Sequence, residues 1–296
     1  MPRSGLLRVI AGLLALTGIT GVAACSPDVP DTTGKIKVVA GFYPLRFAAE
    51  RVGGDAVAVT SLAEAGAEPH DLELSPRQVA QVADADLVVH LKGFQPSLDE
   101  TVAQEATSAA FDVAAVQPLL PGPAGRDPHL WLDPTRLATV ADRLADRLGQ
   151  LDPDHAADFR SRAAALRAEL ERLDREYAEG LATCQRREIV VSHAAFGYLA
   201  QRYDLEQVAI TGLTPESEPS PQRLADVANT ARAHQATTIF FETLASPALA
   251  EAVAREVGAR TAVLDPLEGV SPGSTEDYFS VMRANLAALR SALECA

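Results

Sequence analysis

Between Asp152-Pro153 and Gly180 the chain runs without an internal glycine or proline, and Phe159, Ala163, Leu166, Leu170, Leu173 and Tyr177 recur on one face at helical spacing. A helix of that length divides the chain into two halves. In both halves, short apolar runs alternate with helical patterns. Before the helix, strands are expected at 35–41, 56–62, 85–91 and 111–113, with helices at 44–52, from Ser75-Pro76 onward, at 96–106 and from Pro134 to about Gly149. After it, strands at 188–192, 207–211, 237–241 and 261–264 alternate with helices at 196–203, through Ala233, at 247–257 and at 275–293. Strands separated by helices imply parallel sheets with crossover connections, and here the pattern occurs twice. The sequence therefore predicts an α/β protein with two lobes: an N-terminal lobe at 35–152, a linking helix at 153–180 and a C-terminal lobe at 181–296.

The first residues belong to no fold. Arg3 and Arg8 flank the start of an apolar run, 6–22, interrupted by Gly12, Gly18 and Gly21 and ending in Val22-Ala23-Ala24-Cys25. This is the pattern of a signal peptide, 1–24, with small residues before the cleavage point. The run is short and glycine-rich for a retained membrane span. A cysteine at the first mature position resembles the lipobox of bacterial lipoproteins, so Cys25 is expected to carry the lipid and residues 25–34 to form the tether. Export leaves Cys184 and Cys295, which suggest one disulfide, with two buried thiols as the alternative. The net charge of −14 argues against a nucleic-acid partner, which needs clustered Lys and Arg.

Chemistry concentrates where strands end. His70 sits in Glu68-Pro69-His70-Asp71, His129 between two prolines in Asp127-Pro128-His129-Leu130-Trp131-Leu132-Asp133-Pro134, His193 directly after a strand, and Asp265 after another. Each proline fixes its own φ and restricts the residue before it, so the imidazoles are held with little freedom to lose. In open parallel sheets ligands bind just beyond the carboxyl ends of strands. Two of these residues come from each lobe, so a cleft between the lobes would collect all four. Three neutral imidazoles and a carboxylate suit a tetrahedral Zn²⁺. Glu68 is a spare oxygen donor or a surface residue, and Glu242, at a strand end, is a candidate to orient an imidazole. His90 reads as structural, His155 and His234 as solvated, and Trp131 as packing behind the His129 turn.

Glu68-Pro69-His70-Asp71, Asp127-Pro128-His129-Leu130-Trp131, Ser192-His193-Ala194-Ala195-Phe196-Gly197-Tyr198 and Leu264-Asp265-Pro266-Leu267 resemble, in this order, the metal-contacting segments of the cluster A-I solute-binding proteins of bacterial zinc and manganese ABC importers. Glu218-Pro219-Ser220 and Phe240-Phe241-Glu242 match as well. The resemblance implies two (β/α)₄ lobes with parallel sheets, joined by one long rigid helix, and a metal site between them made by His70, His129, His193 and Asp265. A histidine at the third ligand position implies zinc in preference to manganese, as transported ligand. It further implies an extracytoplasmic, lipid-anchored monomer that serves a membrane permease and its ATPase, with delivery by a metallochaperone left open. Many zinc-type members carry a His-rich loop before the second ligand; here 118–127 contains no histidine. Small local shifts on metal release are expected from a rigid linking helix. Two other classes compete: a zinc hydrolase, which needs an open coordination position, and an adhesin-type lipoprotein in which the metal is incidental. Four ligands fill the site, so the protein is expected not to be an enzyme.

Overall fold

Val38, Val39 and Ala40 are all buried, a continuous apolar run of the kind a strand needs when helices cover both faces of its sheet. In the computed structural model, which describes residues 34–122 and 125–296, that run is the interior of β1 (Ile36–Ala40). The expected signal peptide, Cys25 and all of the tether but Gly34 lie outside the described residues. The chain continues through α1 (Tyr43–Gly53), β2 (Val57–Ser61), α2 (Pro76–Ala83), β3 (Leu87–His90), α3 (Pro96–Glu105), β4 (Ala110–Asp112) and a one-turn α4 (Val113–Val116). A two-stranded antiparallel ribbon, β5 (Pro121–Gly122) and β6 (Gly125–Arg126), precedes the His129 segment. After a 3₁₀ turn at Leu130–Leu132 come α5 (Pro134–Leu151), the long α6 (Ala156–Gly180), β7 (Glu188–Val191), α7 (Gly197–Arg202), β8 (Glu206–Ala209), α8 (Pro221–Ala233), β9 (Thr238–Phe241), α9 (Ala248–Val257), β10 (Arg260–Val263) and α10 (Tyr278–Leu293).

The two main sheets share one topology. The first has strand order β2-β1-β3-β4 and the second β10-β9-β7-β8, all pairings parallel. In each, the first strand lies between the second and the third. The chain therefore reverses direction across the sheet beside β1 and again beside β7, and a crevice opens at the carboxyl ends of those strands. Both halves send a histidine loop there.

The apolar face read from the sequence buries α6: Phe159, Leu166, Leu170, Leu173 and Tyr177 are all at 0% exposure. The helix packs along α5 and reaches α1 and α10. Near its start the Arg162 guanidinium donates to the Val52 and Gly53 carbonyls at 2.8 and 2.9 Å, capping the end of α1. Near its end the Tyr177 hydroxyl donates to the Met282 carbonyl in α10 at 2.6 Å. One apolar cluster includes Val38, Phe42, Trp131, Leu170, Val191, Tyr278 and Leu289, so both halves share a core. Phe47 of α1 stacks on Tyr278 of α10 with ring centroids 5.4 Å apart.

The last helix starts at Tyr278, later than the sequence suggested, because Asp277 and Ser280 form a reciprocal capping box and Thr275 does not cap. Beyond it Cys295 is bonded to Cys184, 111 residues away, closing the C-terminal half on itself. A cross-link over so long a loop restricts the unfolded chain and is worth about 2–5 kcal/mol. Paired Cys184→Ser and Cys295→Ser substitution should lower stability in urea denaturation by that amount. An unchanged midpoint would show that the bond contributes nothing to the fold.

Candidate metal centre

His129 is held by the residue two before it. Oδ1 of Asp127 accepts the His129 backbone N–H at 2.9 Å and the ring Nδ1–H at 2.7 Å, so one carboxylate fixes both the turn and the tautomer. The Ser192–Tyr198 segment explains how Asp127 is held in turn. The Tyr198 hydroxyl donates to the Asp127 carbonyl at 2.9 Å and accepts Leu120 N–H at 2.8 Å. A Cβ on Gly197 would come within 2.5 Å of Asp127 Oδ2, so only glycine leaves room for that carboxylate. His129 follows the β5–β6 ribbon, not a strand of the parallel sheet, which differs from the expected strand-end position.

His193 follows β7, and its Nδ1 lies 3.0 and 2.9 Å from the two carboxylate oxygens of Glu242, at the end of β9. Because β7 and β9 are neighbours, the sheet itself sets this pairing. The Ser192 hydroxyl donates to the same carboxylate at 2.7 Å. His70 lies in the loop after β2. Its backbone N–H donates to Glu68 Oε1 at 3.1 Å, its preceding carbonyl accepts from Gln95 Nε2 at 3.1 Å, and its ring meets Phe94 edge-on with centroids 4.4 Å apart.

The fourth group is Glu268 and not Asp265. Asp265 is engaged elsewhere: Oδ1 accepts Leu267 N–H and Oδ2 the Thr243 hydroxyl, both at 2.7 Å. It closes a turn that carries the chain three residues onward and brings Glu268 into the cluster. Glu268 Oε1 lies 2.9 Å from His129 Nε2, 3.2 Å from His193 Nε2 and 3.3 Å from His70 Nε2. Each of the four groups His70, His129, His193 and Glu268 offers one donor atom within 4.8 Å of the other three, and no other such group occurs among the described residues. A tetrahedral ion with bonds of about 2.0–2.1 Å needs donors about 3.4 Å apart, so the measured separations from Glu268 are of tetrahedral size and slightly tight. Four donors also fall short of the six that an octahedral, oxygen-preferring cation takes. His129 Nε2, although 2.9 Å from Glu268 Oε1, has no aligned hydrogen-bond partner, and Glu268 Oε2 has none either. Buried polar atoms without partners are rare and signal a missing ion or molecule.

Electrostatics agrees with that reading. Burial would lower the His193 pKa, but the Glu268 charge and the hydrogen bond to Glu242 prevail and push it up to about 10. His129 is likewise raised, against burial, by Asp127 and Glu268. Burial would raise Glu268, yet the charge of His193 and the hydrogen bonds from the histidines hold it well below the usual carboxylate range. The carboxylate demands positive charge, and in the metal-free protein protons supply it. Glu68, outside the tetrad, is pushed up to about 8 by burial and by the charge of Glu268. Of the four residues only His70 lines a cavity of about 1040 Å³, whose wall also includes Asp71, Lys92, Phe94, Arg126 and Thr214.

The remaining histidines stand apart. His90 is buried and bonds Asp99 at 3.2 Å; His155 and His234 are exposed and pair with Asp152 and Glu188. Trp131 is fully buried and its indole N–H donates to the Pro266 carbonyl at 2.7 Å, bracing the Glu268 turn from the His129 side. Asp127 and Glu268 were not singled out by sequence reasoning. The signal for Asp127 was its position two before a histidine across a proline, where Asp folds back on the backbone. The same Asp-Pro arrangement recurs in Asp265-Pro266-Leu267, but the sequence alone does not say whether Asp265 or Glu268 faces the cluster.

The chain resembles proteins of known activity over most of its length. It is 36% identical over 308 residues to the zinc-binding lipoprotein AdcA of Streptococcus pneumoniae, an alignment that covers 96% of this chain and 61% of that protein, so the chain spans about three-fifths of that relative. It is 30% identical over 309 residues to the high-affinity zinc uptake system protein ZnuA of Bacillus subtilis, covering 97% of each. The Zn(II)-bound ZnuA-like domain of the pneumococcal AdcA superposes with a TM-score of 0.78 at 37% identity, over 88% of this chain and 100% of that one. Residues 38–292 match the family model for ZnuA, the periplasmic zinc-uptake complex component A, and by that match the chain belongs to the ZnuA family.

Proposed function

We propose that the protein captures Zn²⁺ outside the cytoplasmic membrane and hands it to the permease of an ABC importer, whose ATPase drives uptake. The observation that carries this reading is the convergence of three imidazole Nε2 atoms on one oxygen of a fully buried carboxylate. Asp127 and Glu242 hold the Nδ1 protons of His129 and His193, so the Nε2 lone pairs point at the ion. The set of His70, His129, His193 and Glu268 gives zinc four protein donors and leaves no position for an activated water, which favours a carrier over a hydrolase. Imidazole-rich donors also favour zinc over manganese. With no histidine between 118 and 127, the ion reaches the tetrad through the cavity beside His70 or from a delivering partner. Cys25, by its lipobox, anchors the chain to the membrane through lipid, in keeping with a relative named a lipoprotein.

Titration of the metal-stripped protein lacking residues 1–25 tests the assignment. Zinc should bind one to one and more tightly than manganese, and His193→Ala and Glu268→Gln should each weaken binding at least about tenfold. Binding indifferent to both substitutions would mean that the ion sits elsewhere.

Zinc and protons compete for the same nitrogens. With its pKa raised to about 10, His193 carries a proton at neutral pH and must release it when zinc binds. Affinity should therefore rise with pH from 6 to 8, by about tenfold per unit for each proton released. The number of protons released can be counted by calorimetry in buffers of different ionisation enthalpy. A pH-independent Kd would contradict the proposed protonation state.

A further inference from the structure

The segment Asp265-Pro266-Leu267-Glu268 is held more tightly than a connecting loop requires. Leu267 is at 0% exposure and has a φ of +59°, a left-handed conformation that a leucine adopts only when its surroundings impose it. Three parts of the fold impose it. Asp265 accepts Leu267 N–H on one oxygen and the Thr243 hydroxyl on the other, both at 2.7 Å. Asn285 of α10 accepts the Asp265 N–H at 2.9 Å and donates to its carbonyl at 2.7 Å. Trp131 donates to the Pro266 carbonyl, and Tyr278 of α10 fixes Trp131 by donating to its carbonyl at 2.6 Å.

Glu268 depends on this turn. Its Oε2 is buried with no hydrogen-bond partner, and Oε1 faces only the three imidazoles. His129 and His193 each have a carboxylate behind the ring; Glu268 has no equivalent, so its backbone must supply the aim.

We propose that Asp265 is a positioning residue for metal retention: by holding Leu267 in the left-handed conformation it fixes Glu268 Oε1 at the point where the three Nε2 atoms converge. The proposal rests on Glu268 being a metal ligand. Without the Asp265 side chain, Leu267 loses the acceptor for its N–H and relaxes to negative φ, and Glu268 swings out of line. Such a change acts on the closed, metal-bound state. It therefore speeds zinc release and leaves capture by the three histidines little altered.

The test is the zinc dissociation rate, measured by stopped-flow chelator competition, together with the association rate, for the parent protein and for Asp265→Ala, Asp265→Asn, Glu268→Gln and the Asp265→Ala/Glu268→Gln pair. Asp265→Ala should release zinc about tenfold faster with association within about twofold of the parent. Asp265→Asn keeps an oxygen for Leu267 N–H and should restore the parent rate. In the Glu268→Gln background Asp265→Ala should add nothing, because the ligand it aims is already gone. Release from Asp265→Ala at the parent rate would overturn the proposal. So would an effect of the same size in the Glu268→Gln background, which would mark Asp265 as merely structural. If Glu268→Gln itself releases zinc at the parent rate, the tetrad reading fails, and this proposal with it.

Discussion

A single carboxylate oxygen surrounded by three imidazole nitrogens, all four groups buried, is the arrangement on which the rest of the molecule bears. Burying Glu268 is unfavourable unless positive charge or hydrogen bonds compensate it. The fold supplies compensation by bringing in His70, His129 and His193 from separate loops. With the ion present the unmatched charge is satisfied. In its absence the neighbouring carboxylates favour protons on His129 and His193, whose pKa values are raised.

The repeated topology turns this demand into geometry. Each sheet places its first strand beside the reversal of chain direction; His70 leaves from the loop after β2, the neighbour of β1, and His193 from the loop after β7. The long helix α6 packs on α5, α1 and α10, and one apolar core joins the two halves. Across the site Trp131, two residues after His129, grips the carbonyl two residues before Glu268, so ligand segments from the two halves are tied directly. Tyr198 and Gly197 shape the bed for Asp127, and Asp127 in turn aligns His129. The sequence motif around His193 thus serves His129 as much as His193.

Most of the fold could be read from residue pattern. Buried parallel strands such as Val38–Ala40 announce themselves by continuous apolar composition, and the uninterrupted face from Phe159 to Tyr177 marked the long helix. Element ends were harder, since they depend on side-chain caps such as Asp277 with Ser280. The three histidines of the cluster were legible because prolines and strand ends flag rigid positions. The fourth group was not, because the strand-end rule selects the first carboxylate after β10, and which of Asp265 and Glu268 enters the site depends on turn geometry. Only the three-dimensional path shows that Asp265 spends both oxygens on Leu267 and Thr243. The Glu242–His193 contact needed the β7–β9 pairing, which is set by strand order and not by local sequence.

The proposed centre makes one statement about coordination that can be measured without reference to affinity or uptake. X-ray absorption at the zinc edge on the zinc-loaded protein counts and identifies the donors. A closed site of His70, His129, His193 and Glu268 predicts four nitrogen and oxygen neighbours at about 2.0–2.1 Å, with the multiple-scattering signature of three imidazoles. Fewer than three imidazoles, a sulfur neighbour, or a fifth oxygen from bound water would contradict it.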